Sequence, residues 1–236
     1  MLFEPVETPY DINFRAFGVD VRINPWFWLM TVVLGWPMMR LGLPYMVVWV
    51  LCVLFSILIH EFGHIFMGRL FGSDGYVVLY NFGGLAVGSN RLASWWQRIL
   101  VSFAGPAAGF LFWGLLYIAL KFRGDIQFNP LAAAAVIDLL EINLWWGILN
   151  LLPIWPLDGG QITYNLFTRL HPDRGAAVAY GLSFVCAALL AVNALMAANG
   201  KGFIPYASGG MYTALLFGYL AMGSFTALQR ENNPWE

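Results

Sequence analysis

A chain of 236 residues in which 60% are hydrophobic and only 11% charged departs from soluble domains, where about a quarter of residues are charged. It reads as an integral membrane protein. The net charge of −1 excludes the broad basic surface that nucleic-acid binding requires, so nucleic acid is not an expected partner.

The first residues, MLFEPVETPYD, are acidic and broken by proline, unlike the basic and then apolar order of a secretory signal. Apolar runs then mark about six transmembrane helices: Trp26 to Met39, Tyr45 to Phe71, Trp96 to Phe122, Leu131 to Leu152, Ala176 to Ala198 and Met211 to Leu228. The first is short for a span. After the second, Gly75 to Gly88 (GYVVLYNFGGLAVG) is rich in Val and Tyr and interrupted by Gly83-Gly84, which favours short strands over helix. The expected fold is therefore all-α and polytopic with a small membrane-associated β-hairpin or sheet after the second helix. It forms a single domain over 1–236, with a core over 45–170. Cys52 and Cys186 both sit inside apolar runs and read as core residues, not a disulfide. Arg15, Arg22, Arg69, Arg91, Arg98, Arg169, Arg174 and Arg230 fall on one side of such a topology, and Arg40, Lys121, Arg123 and Lys201 on the other. The excess places both termini in the cytoplasm. A miscounted first span would move the N-terminal segment to the opposite side.

Near the end of the second run stands SILIHEFGHIFMG, Ser56 to Gly68. Ionisable groups inside a membrane helix cost about 2.5–3.5 kcal/mol each on insertion scales, and persist where they do chemistry. HEFGH is H-E-x-x-H. On a helix His60 and His64 are about 40° apart on one face, where both can reach one metal ion, and Glu61 stands about 80° round from their midpoint. A carboxylate so placed lies beside the metal, where it can take a proton from an activated water. A catalytic zinc usually takes three protein ligands, so a third is needed. His171 sits in a proline-ended loop, and Asp138 and Glu141 lie early in the fourth span. Asp158 follows the helix-breaking Pro153 and Pro156 at the end of a span that finishes on the same side as the histidines. Its alternative reading is an N-cap for the helix that follows.

HEFGH, followed about ninety residues later by NLLPIWPLDGG, resembles the site-2 protease family of intramembrane zinc metalloproteases, in a compact form without PDZ or other regulatory domain. The second motif is N-x-x-P-x-x-x-L-D-G, matched at Asn150, Pro153, Leu157, Asp158 and Gly159. The resemblance implies one zinc ion per chain held by His60, His64 and Asp158, with Glu61 as general base. It suggests that Asn150 hydrogen-bonds a substrate carbonyl or its oxyanion, where the alternative is satisfying backbone freed by the prolines. It also implies that the small sheet receives substrate as an added strand. Phe103 to Phe110, FAGPAAGF, is similar to a glycine–proline segment of the same family and reads mainly as close helix packing, with Gly105 and Gly109 in small-xxx-small spacing.

The expected activity is hydrolysis of a peptide bond within or next to a transmembrane segment. The expected partners are single-span membrane-protein substrates and the lipid bilayer, and the active site lies nearer the cytoplasmic side. Two other classes compete: a catalytically silent zinc-binding scaffold, and a transporter whose intramembrane charges line a path. Neither accounts as well for the paired motifs.

Overall fold

A computed structural model describes residues 4–81, 83–122, 128–204 and 210–232. The chain begins with two antiparallel strands, β1 (Ile12–Ala16) and β2 (Val19–Ile23), joined at Phe17-Gly18, where both residues have positive φ. Helix α1 (Pro25–Leu34) follows, capped by the Asn24 side chain on the Trp26 N–H. A single 3-10 turn, Trp36–Arg40, then leads into the long helix α2 (Leu43–Leu70). Pro44 opens α2, where its missing N–H costs nothing. Gly72, at φ 81, closes it, with the Ser73 N–H returning to Gly68 O in the left-handed glycine stop typical of helix ends.

Strands β3 (Tyr76–Tyr80) and β4 (Gly83–Val87) come next, then helices α3 (Trp95–Phe122), α4 (Pro130–Asn150), α5 (Asp158–Leu170), α6 (Gly175–Ala197) and α7 (Met211–Asn232). Among the described residues, five of the seven helices, α2, α3, α4, α6 and α7, are long and apolar enough to cross a bilayer. The chain is an integral, multi-pass membrane protein. The first expected span, Trp26 to Met39, forms instead the ten-residue α1 and the 3-10 turn. Ten residues of helix reach about 15 Å, half of the roughly 30 Å hydrocarbon layer. The stretch expected as a loop between the fourth and fifth spans holds the thirteen-residue α5.

The expected hairpin is present, and it belongs to a larger sheet. The strand order is β1-β2-β3-β4, with β2 and β3 parallel at Val21↔Val77 and Ile23↔Leu79. The N-terminal strands escape a sequence reading because INFRAFGVDVRI is short and carries an arginine at a buried position. Arg22 is 7% exposed and ion-paired with Glu4 at 2.6 Å and Asp11 at 3.3 Å. Burial pushes the Asp11 carboxyl up, but hydrogen bonds from Thr8 and the Arg22 charge outweigh it and hold the group below its ordinary range.

Contacts divide the chain into two compact units, Leu2–Leu149 and Asn150–Glu236. The core of the first joins Val19, Val21 and Ile23 of β2, Phe27 of α1, Val77 and Leu79 of β3, and Val53, Ile57, Phe62 and Ile65 of α2. Phe27, near the start of α1, belongs to this core with residues 53 to 65 of α2, while near the end of α1 the Trp49 indole N–H donates to Thr31 O and its ring packs on Gly35. Later residues of α1 thus meet earlier residues of α2, so α1 runs back along it. In the second unit α6 packs on α7, and the residues they bury include the small Ala179, Ala187 and Ala194 of α6 and Ala214 and Ala221 of α7. Asn193 Oδ1 accepts the Phe203 and Ile204 N–H groups and so ties down the start of their connection.

Candidate active site

His60, Glu61 and His64 occupy the inner face of α2, at 4%, 5% and 7% exposure. By helix geometry they lie about 12 Å before the C-terminal end of α2. The Nε2 atoms of His60 and His64 are 3.2 Å apart. Two nitrogens each bound at 2.0–2.1 Å to one tetrahedral zinc would be about 3.3 Å apart. His64 Nδ1 lies 2.7 Å from the Val101 carbonyl of α3. A carbonyl only accepts, so Nδ1 carries the hydrogen and Nε2 keeps its lone pair, as a metal-ligating histidine needs. The donor set, its spacing and its tautomer therefore fit a zinc ion.

Two glycines make room for this face. A Cβ at Gly105 of α3 would overlap His64 Nε2 and stand 2.8 Å from His60 Nε2. A Cβ at Gly84 of β4 would stand 2.5 Å from Glu61 Cγ and 2.6 Å from its Oε1. The α2–α3 approach is also close at Gly63, whose Cβ position is 2.9 Å from the Ala108 methyl. FAGPAAGF thus does pack as the small-residue reading expects, and Gly105 also clears the imidazoles. The hairpin lies with β4 directly on Glu61. None of this is visible in the motifs, since a backbone carbonyl partner and a missing Cβ have no signature of their own.

The second motif flanks a break between α4 and α5. Asn150 is the last residue of α4, 8% exposed, and Asp158 is the first of α5, 7% exposed. The backbone between them folds back on the start of α5. A Cβ at Gly159 would overlap Leu151 O, and one at Gly160 would lie 2.5 Å from Ile154 C and O. The glycines of LDGG are therefore required by the fold of this loop. His60, His64 and Asp158 each offer a ligand atom, and each is buried.

The other candidates stand apart from this chemistry. His171 is exposed at the C-terminal cap of α5, where its N–H donates to Phe167 O. Asp138 is buried on α4 and Glu141 is exposed. Arg123, a possible partner for them, lies outside the described residues. Cys52 and Cys186 are both free thiols.

The profile of peptidase family M50 matches residues 126–192, a stretch that contains Asn150 and Asp158. That stretch of the chain is therefore similar to peptidase family M50, in line with the resemblance carried by the motifs. A zinc metalloprotease of Methanocaldococcus jannaschii is similar at 26% identity over 160 residues, 67% of this chain and 45% of that protein. Stage IV sporulation protein FB of Bacillus subtilis is similar at 33% over 134 residues, 53% of this chain and 42% of that protein. The chain spans about half the length of the curated relatives it matches. In fold it is similar to the site-2 protease from M. jannaschii, with a TM-score of 0.62 and 22% identity, over 93% of this chain and 95% of that one.

Proposed function

We propose that this chain is an intramembrane zinc endopeptidase. It hydrolyses a peptide bond within or next to a transmembrane segment of a single-span substrate. The observation that carries the reading is the paired Nε2 atoms of His60 and His64 at 3.2 Å, on a membrane-length helix that also presents Glu61. In this reading His60, His64 and Asp158 hold one zinc ion per chain. Bound zinc supplies a Lewis acid that polarises a carbonyl and makes water acidic enough to attack. Glu61 takes the proton released by the attacking water and returns it to the leaving amine. Asn150 steadies the charge that develops on the carbonyl oxygen.

The sheet supports a place for the substrate. β4 is an edge strand paired only with β3 among the described strands, and it lies on Glu61 through Gly84. Open strand edges facing lipid are not tolerated inside a bilayer, so this edge needs a protein partner or water. An unwound substrate segment adding to β4 would satisfy it by main-chain pairing and bring its peptide bonds beside Glu61. The ring of Trp146 on α4 packs 3.4 Å from the Cβ position of Gly83 and flanks the same edge. The arginine distribution supports a cytoplasmic position for the site and for both termini.

The test is cleavage of a panel of tagged single-span substrates by purified protein, comparing wild type with Glu61→Gln at equal zinc loading. Removing a general base lowers the rate by about 10²–10⁴-fold, so cleavage by wild type alone is expected. Equal cleavage by both would overturn the assignment of Glu61. Zinc binding without cleavage by either, across the panel, would favour the silent scaffold.

A further inference from the structure

The loop Leu151 to Leu157 links Asn150 to Asp158 and lies outside any regular element. Two of its seven residues are prolines, which carry no N–H. In a membrane protein every remaining backbone group there needs an internal partner or water. Local turns satisfy some of them: the Ile154 N–H donates to Leu152 O at 2.7 Å and the Leu157 N–H to Ile154 O at 2.8 Å. Trp155, between the prolines, is held differently. Its N–H donates to Ser183 Oγ of α6 at 3.1 Å. Its carbonyl receives the hydroxyl of Ser224 of α7 at 3.3 Å, a proton that Ser224 shares with Leu220 O at 2.9 Å. Both serines are buried, at 1% and 0% exposure. The Trp155 ring meets Tyr180, one turn before Ser183 on α6, edge-on at 5.6 Å, and Tyr164 of α5 at 5.8 Å.

We infer that Ser183 and Ser224 are positioning residues for Asp158, acting through the backbone of Trp155. The inference rests on the proposed role of Asp158 as a metal ligand. Trp155 is three residues from Asp158, and the Leu157–Ile154 turn together with the glycine contacts at 159 and 160 makes the loop and the first turn of α5 one packed piece. A shift at Trp155 is passed to the carboxylate. The two helices that supply the hydroxyls carry no ligand themselves, and this bracing gives them a part in the site.

The experiment is zinc affinity of the full-length protein in detergent, read by competition with a fluorescent chelator, with metal-free thermal unfolding as the check on folding. Groups that orient metal ligands typically contribute 10–100-fold in affinity. Ser183→Ala, which strips the acceptor from a buried N–H, is expected to weaken zinc by that factor. Ser183→Thr, which keeps an oxygen there, should restore binding to within about threefold of wild type. Ser224→Ala, which removes a shared and longer bond, should cost several-fold, and it carries the same test if Ser183→Ala does not fold. In an Asp158→Asn background, Ser183→Ala should change the affinity by less than about twofold, because its route to the metal is gone. Wild-type affinity in folded Ser183→Ala and Ser224→Ala, or an equal loss with and without Asp158, would overturn the inference while leaving the metal site intact. A wild type that binds no zinc would overturn the metal reading and this inference with it.

Discussion

At the residue scale, the proposed metal face depends on one carbonyl and one absent methyl group. Val101 O fixes the His64 tautomer at 2.7 Å, so the imidazole arrives with its lone pair on the inward nitrogen. Gly105 gives both Nε2 atoms their room. Replacing Gly105 by Ala should drive the His64 ring out of its place, because the new Cβ would meet the ring nitrogen itself while the Val101 contact holds its other side. The expected outcome is loss of tight zinc binding with helical content retained, measured by chelator competition and circular dichroism. Gly114 lies on the same helix with nothing within 4 Å of its Cβ position. Gly114→Ala should bind zinc as wild type does, which separates the local clash from helix propensity. Wild-type zinc affinity in Gly105→Ala would show that the imidazoles can move aside and still bind.

At the element scale, β4 and α2 form a unit that the motif on α2 alone does not disclose. The alternation of β4 turns Gly84 and Ala86 toward the α2 side, since Gly84 abuts Glu61 and Ala86 packs on the shared core. A side chain at 84 would push the Glu61 carboxylate while leaving the histidines alone. Gly84→Ala is therefore expected to lower kcat of substrate cleavage by at least tenfold, roughly the effect of a misplaced catalytic group, with zinc affinity unchanged. Gly83→Ala, whose Cβ would touch only the Trp146 ring at 3.4 Å and 3.8 Å, should keep most of the activity. Zinc loss in Gly84→Ala would mean that β4 bears on the imidazoles and not on the base.

At the scale of the whole molecule, the sequence disclosed the spans and the ligand candidates because both have local signatures. Those signatures are runs of about twenty apolar residues and ionisable groups set inside them. It did not disclose the four-stranded sheet, because parallel pairing of β2 with β3 joins residues more than fifty positions apart, nor the reach of α1, because hydropathy cannot distinguish a span from a helix that runs back along its neighbour. That second point bears on topology. With five helices able to cross among the described residues, a count of spans would put the N-terminal segment opposite the α2–α3 connection. The pairing Val21↔Val77 requires the two on the same side. In a variant lacking Cys52 and Cys186, single cysteines introduced as Asp20→Cys, beside the β1–β2 turn, and Asp74→Cys, just after α2, should react with a membrane-impermeant maleimide from one and the same side. Both native aspartates are exposed. Leu41→Cys, exposed two residues before α2, should react from the other side. If the arginine excess sets orientation, the first two label only in inverted vesicles. Labelling of Asp20→Cys and Asp74→Cys from opposite faces would be incompatible with the sheet, and with a substrate edge that depends on it.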